Sequence, residues 1–398
     1  MGAPLEGIKV VELASYVAAP AAGALLADMG AEVVKVEVPQ GEIYRYALPR
    51  LAGLDSEFSE APHFQMDNRG KRSLAMDLLM PGALDALRQV IDQSDILLTN
   101  MLPHRLEKYQ LDAATLRSRK PALIFASISG YGHKGPDATT PAFDYTAYWA
   151  RSGFMDQMRD PNTAPTFQRP GIGDHAAALS MVSGILAALR MRDTSGEGQE
   201  VSVSLMHIGF YIQGNDAAIA LAAGEAPPRH DRRAPRNPLW NHYRVKDERW
   251  IFLVMIESDR YWLRFCEAID RMDLAKDERF DGAVARYHNT TTLVEVLEQT
   301  FASRTLEGWR SILDRHGVIW APTNTLGEAI RDRQARAAGV FQTVEHPTAA
   351  TYETISPPLS LSAFEMKGER PAPALGADGA EILREVGLSD EEVKSILG

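Results

Sequence analysis

Asp174 follows Pro170, Gly171, Ile172 and Gly173 and opens a run of small and apolar residues that reads as a long helix to about Met191. A carboxylate at the start of a helix has two roles open to it. It caps the helix by accepting the free N–H groups of the first turn. Or, where glycines let a substrate come close, it attacks a carbonyl as a nucleophile. These residues alone leave both roles open. The other nucleophile candidate is the single cysteine, Cys266, which lies in an amphipathic pattern with Tyr261, Trp262, Phe265 and Ile269 and reads as a core thiol. One cysteine also excludes an intrachain disulfide and fits a reducing cytoplasm. The ten histidines are scattered with no HxxxH or CxxC spacing, so no metal site is expected.

The elements that must position Asp174 follow from the hydrophobic periodicity. Residues 8–13, 32–37, 95–99, 122–128 and 200–205 read as strands. Helical patterns at 21–29, 82–91, 112–119 and 207–223 lie between or after them. Strands alternating with helices predict a parallel, doubly wound α/β sheet, whose ligands bind beyond the carboxyl ends of the strands. Asn100 and Gly130 fall on that rim. No Gly-x-Gly-x-x-Gly follows the first strand, where Ala14 to Pro20 stand instead, and no Walker loop is present, so a nicotinamide, flavin or nucleotide-triphosphate enzyme of the usual kind is disfavoured.

With 398 residues, two domains are expected. The proline- and arginine-rich stretch 224–240 reads as a linker after a large domain at 1–223. A smaller α+β domain follows at 241–325, with a hairpin at 241–245 and 250–255 and helices at 258–269, 290–303 and 306–316. Residues 326–398 carry short strands at 340–344 and 351–355 and a last helix after Ser389. The net charge of −11 argues against nucleic-acid binding, and no apolar run is expected to span a membrane.

Several motifs in order carry a resemblance. They are residues 7–15 through Pro20 to Glu37; Asn68 to Ser73 with Met76, Asp77 and Leu78; Gly130, Tyr131 and Gly132 with Gly135 and Pro136; Gly173 with Asp174; and Thr194 to Val201. Together they resemble the class III (family III) CoA-transferases, a family that also contains carnitine CoA-transferase-like proteins and α-methylacyl-CoA racemases. The resemblance is strong over 5–210 and looser beyond. It implies a Rossmann-like large domain built from both chain ends, so that 326–398 return to it, and two chains interlocked as a homodimer. It implies coenzyme A as the substrate that is passed, no metal, and transfer between an acyl-CoA and a carboxylic acid. Asp174 is then the nucleophile, working through an aspartyl anhydride and an aspartyl-CoA thioester. The start of its helix would keep it ionised.

Carried over residue by residue, Val17 and Ala18 at the first β–α turn, Met76 and Asp77 beside the adenine, Asn100, Met101, Lys108 and Tyr109 match the CoA contacts, with Arg105 as an added phosphate partner. Asn100 also suits a plainer role, satisfying backbone at a strand end, and Lys108 that of a solvated charge. Two positions where the family often has a cation hold Val38 and Leu79, for which Arg45, Arg69, Lys71 and Arg72 are the stand-ins to examine. Where the racemases place a histidine this chain has Phe143, which moves no proton, so transfer is favoured over racemisation and over a non-catalytic CoA-binding protein. Tyr148, Trp149, Phe154, Met155 and Met158, with Trp240 and Met255, suggest a hydrophobic or branched acyl group.

Overall fold

The computed structural model describes residues 2–48, 53, 57–366 and 368–398. The chain forms two compact units: Met1–Asp156 with Phe167–Ala226 and Gln334–Gly398, and Gln157–Thr166 with Pro227–Arg333.

In the first unit β1 (Lys9–Leu13), β2 (Glu32–Glu37), β3 (Arg72–Ala75), β4 (Ile96–Thr99), β5 (Ile124–Ser129) and β6 (Glu200–Ser204) form one parallel sheet in the order β3-β2-β1-β4-β5-β6. The helices are α1 (Ala18–Asp28), α2 (Pro62–Asn68), α3 (Ala83–Asp92), α4 (Pro103–Lys108), α5 (Ala113–Arg119), the single turn α6 (Phe154–Gln157), α7 (Ile172–Ser195), α8 (Leu205–Ile212) and α9 (Gly214–Ala223). A parallel sheet must be covered on both faces, and the strands alternate accordingly. Val10, Ile96, Leu98 and Ile124 enter one core with α1 and α7, while Val11, Leu97 and Phe125 enter the other with α3, α5 and the C-terminal helices Gly379–Glu385 and Asp390–Leu397. The chain's last segment is stitched to β3: Asp378 accepts the Ser73 N–H at 2.7 Å and Ser73 Oγ accepts the Gly376 N–H at 2.9 Å. The strand order reverses between β1 and β4, which opens a crevice beyond their carboxyl ends.

Three details differ from the sequence-based expectations. β3 has no β-branched residue and follows a charged stretch, so its pattern gave no strand signal. The helix expected over 207–223 is two helices, α8 and α9, meeting at Gln213. And α7 is, by length and composition, apolar enough to cross a membrane. Its Ala177, Met181, Ile185 and Ala188 nevertheless sit in the core against α1, as a core helix requires.

The second unit has a three-stranded antiparallel sheet of β7 (Trp240–Arg244), β8 (Trp250–Val254) and β9 (Trp320–Pro322), packed with helices Ser258–Ala268, Thr290–Phe301 and Leu306–Arg315. Part of the stretch expected as a linker belongs to this unit: Arg232 pairs with Glu298 and lies over the Trp250 ring. Burial pushes the Cys266 thiol up to about 12, the condition of an inert core group.

Candidate active site

The β1–α1 turn is tied from two sides. Asn100, just past β4, accepts the Ser15 N–H at 3.2 Å and donates to the Ser15 carbonyl at 2.7 Å. Glu42 accepts the Tyr16 N–H at 2.5 Å, and Tyr16 is held at φ 66, a conformation a tyrosine rarely adopts. Glu42 is itself anchored by the buried Lys35, which also pairs with Glu12. Asn100 therefore spends its amide on the turn, and its strand-end role is the one its bonds display.

Two adjoining cavities flank this turn and share Tyr16 and Met101. The outer one, about 600 Å³, is lined by Met76, Asp77, Met101, Arg105, Lys108 and Tyr109 among others. The inner one is lined by Val17, Ala18, Asn100, Met101 and Asp174, with Phe143, His133 and Leu205. The eight positions carried over for CoA, and the added Arg105, thus line these two adjoining cavities, with Asp174 in the inner one.

The charges along the groove are uneven. Arg105 and Lys108 are exposed and form no ion pair among the described residues, and the Lys108 ammonium sits 5.5 Å from the Tyr109 ring centre. Val38 is 56% exposed and Leu79 74%, so the two missing cations leave apolar rim. None of the four stand-ins is free to replace them. Arg45 is bidentate to Glu37, Arg69 to Asp28, Lys71 is buried against Glu12, and Arg72 binds Glu32 and Glu385.

At the inner end, α7 begins at Ile172, two residues earlier than expected, and Asp174 is its third residue rather than its cap. The cap position is Gly171, whose φ of 81 favours glycine. Gly173 is required for a different reason: a Cβ there would fall 2.5 Å from the Tyr148 ring. Asp144 accepts the Gly171 N–H at 3.0 Å. The buried Asp67 bonds His175 Nε2 at 3.0 Å.

These neighbours overturn the expectation that the helix start keeps Asp174 ionised. Burial first, then the negative charges of Asp144 and Asp67, push its carboxyl up to about 7, against the opposing pull of His175. Desolvation and like charge outweigh the helix dipole even though Asp174 lies in the first turn of α7. His175 moves up as well. Burial opposes this, but its bond to Asp67 and the charges of Asp67 and Asp174 prevail. An anion-competent carboxylate that gains its charge near neutrality, at the end of a groove with cations at its mouth, can attack an electrophilic carbonyl.

The residues expected to shape an acyl pocket are placed otherwise. Tyr148 and Trp149 are buried in the sheet-side core with Phe154 and Met155 packed on it, and Met255 is buried in the second unit's core. The apolar wall beside Asp174 comes instead from Tyr16, Phe143, Ile128, Ala142 and Leu205, with the Tyr16 and Phe143 rings edge-on at 5.2 Å. Asp144, Asp67, Tyr16 and His133 were not singled out in the sequence. Only Asp144 had a local signal, its place directly after Phe143.

A six-stranded parallel sheet with adjoining cavities at its switch point, the inner one lined by the carboxylate of Asp174, defines a doubly wound α/β protein. The chain matches the model of CoA-transferase family III over residues 5–379. It is 31% identical over 391 residues to (R)-2-hydroxy-4-methylpentanoate CoA-transferase of Clostridioides difficile, covering 98% of this chain and 97% of that protein. It is 32% identical over 394 residues to cinnamoyl-CoA:phenyllactate CoA-transferase of Clostridium sporogenes, covering 98% and 95%. A CAIB/BAIF family protein of Brucella suis has the same fold, with a TM-score of 0.85, 30% identity and coverage of 97% and 100%. The chain belongs to CoA-transferase family III, enzymes that move CoA between an acyl-CoA and a carboxylic acid.

Proposed function

We propose that this protein transfers CoA between apolar carboxylic acids, with Asp174 as the covalent nucleophile. The observation that carries the reading is the position of Asp174 in the inner cavity, directly after the Gly171–Gly173 turn at the start of α7. An Asp174 oxygen attacks the donor thioester carbonyl, the C–S bond breaks, and CoA leaves as thiolate from a mixed anhydride. The thiolate attacks the aspartyl carbonyl and expels the donor acid. The acceptor carboxylate attacks this aspartyl-CoA thioester, expels the thiolate again, and forms a second anhydride. Thiolate attack on the acceptor's acyl carbonyl then returns Asp174 as carboxylate. Each exchange is between activated acyl groups, so no nucleotide is consumed.

Arg105 and Lys108 are assigned to the phosphates of CoA, Met76 and Asp77 to the adenine end, and Val17, Ala18, Met101 and Tyr109 to the groove walls. Asn100 acts through Ser15. The relatives named for 4-methyl-branched and phenyl-bearing acids, and the wall of Tyr16, Phe143, Ile128 and Leu205, support a branched or aromatic acyl group. The working form proposed is a homodimer of interlocked chains in the cytoplasm. What supports a partner chain is the exposed apolar surface of α8 and α9, where Tyr211 is 76% and Leu221 87% exposed; the interlocking and the location rest on the family resemblance and the single cysteine.

The test is incubation with an acyl-CoA followed by hydroxylamine and peptide mass spectrometry. A hydroxamate on Asp174 is expected; an unmodified Asp174 in an active enzyme refutes the nucleophile. Because His133 lines the same cavity, the same incubation in deuterated water checks for racemisation, and no rapid exchange of the α-hydrogen is expected. Mass measurement in solution checks the dimer.

A further inference from the structure

The turn that carries Asp174 is secured from outside its own helix. Gly171 caps α7 without a side chain, and the first turn receives no capping bond from its own segment. The group that meets it is Asp144, 2% exposed, at the entrance of the π-helical turn Tyr145–Ala150. Its Oδ2 accepts the Gly171 N–H at 3.0 Å. Among the described residues Asp144 forms no ion pair, so its partners are backbone amides at the start of the nucleophile's helix. Burial raises its proton affinity, while the amides of Gly173, Tyr145 and Gly171 and the charge of His175 lower it. A buried carboxylate held by backbone amides, with only the charge of His175 acting in its favour, is a costly arrangement unless it has a task.

We propose that Asp144 is a positioning residue for the transfer reaction: its buried carboxylate clamps the Gly171–Gly173 turn that aims Asp174 and sets a second negative charge at the nucleophile's turn. The inference rests on the reading of Asp174 as nucleophile. A carboxylate with higher proton affinity is the stronger nucleophile, so the like charge strengthens attack on the thioester provided the working pH lies above the point of ionisation. The groups acting on this pair come from four segments. They are Asp144 and Tyr145 at the π-helical turn, His175 on α7, Asp67 on α2, and Tyr44 on the 3-10 turn Ile43–Tyr46.

The test compares Asp144→Asn and Asp144→Ala with wild type. Asn keeps an oxygen for the Gly171 N–H but removes the charge, and Ala removes both. For Asn, the acid limb of kcat/KM is expected to move to lower pH by about one unit, with KM for the acyl-CoA little changed. For Ala, kcat is expected to fall well below that of Asn at every pH, with thermal unfolding used to confirm that both are folded. An unmoved acid limb in Asn, or equal kcat in Asn and Ala, overturns the proposal. A second measurement does not depend on Asp144 variants. Infrared pH titration of the protein labelled with ¹³C-aspartate, read as the difference between wild type and Asp174→Asn, is expected to isolate the Asp174 carboxyl as a step near pH 7. An Asp174 step in the ordinary carboxylate range overturns the proposal. Hydroxylamine labelling separates the two readings: label on Asp174 with an unmoved limb defeats only the role of Asp144, whereas no label defeats the nucleophile itself.

Discussion

The two ends of the groove solve opposite electrostatic problems. At the mouth, Arg105 and Lys108 are exposed and unpaired among the described residues, over a rim that includes the bare side chains of Val38 and Leu79. At the closed end, Asp174 lies among Asp144, Asp67 and His175, largely out of water. Exposed cations keep their hydration until an anion arrives, so the mouth is suited to capture and release, and its contribution is weakened by salt. Buried like charges cannot be screened that way, so the closed end is suited to changing the proton affinity of one group. The sheet supplies both at its carboxyl edge because the chain leaves β1 and β4 toward opposite faces there.

The comparison breaks most sharply at Asp174. Asp174→Ala is expected to lower CoA exchange between labelled acid and acyl-CoA by about 10³-fold or more while CoA still binds, as measured by isothermal titration. Retained exchange would place the chemistry elsewhere in the groove. The pH profile is the next largest effect. Asp174 must be an anion to attack, and its carboxyl ionises near 7. kcat/KM should therefore lose about tenfold per pH unit below that point, roughly 100-fold by pH 5. The same shift predicts a stability effect of defined sign. A carboxyl whose folded-state value lies above its unfolded value holds its proton more tightly when folded. Its penalty is absent below about pH 4, grows toward pH 7 and is complete above it. Asp174→Asn should therefore raise Tm more at pH 8 than at pH 4.

Gly173→Ala tests whether the closed end depends on close packing. The added Cβ meets the Tyr148 ring, so a loss of about 2 kcal/mol in unfolding free energy is expected together with lower kcat. Unchanged stability would show that the turn can shift. The smallest effects belong to the mouth. Arg105→Ala and Lys108→Ala should each raise KM for acyl-CoA by about tenfold, equivalent to about 1.4 kcal/mol, with kcat unchanged and with a weaker salt dependence. A fall in kcat instead would mean that the mouth and the closed end are coupled.

Much of this arrangement was legible in the sequence because it rests on local patterns. β1, β2, β4 and β5 follow from apolar runs, β6 from its Val/Ser alternation, and the Asp390–Leu397 helix from the acidic residues behind Ser389. The eight carried-over positions and Asp174 came from ordered motifs and line the two adjoining cavities. What was not legible depends on distant partners. Arg45, Arg69, Lys71 and Arg72 look alike as sequence, and only their pairing with Glu37, Asp28, Glu12 and Glu385 removes them from the groove. Tyr148 and Trp149 read as pocket aromatics until packing against α7 and α8 puts them in the core.

Asp174 shows the division most clearly. The sequence by itself determined that a carboxylate follows a glycine turn at the head of a long helix, within a chain of alternating strands and helices. That much depends on residue type and spacing. Its state of charge was decided only by the tertiary structure, because the helix dipole is a local effect and the stronger influences come from elsewhere. Asp144 arrives from the segment after β5 and Asp67 from α2, each bonded at the start of α7, and burial adds the largest influence. Electrostatic energy depends on distance and on exclusion of water, and neither is written in the order of residues.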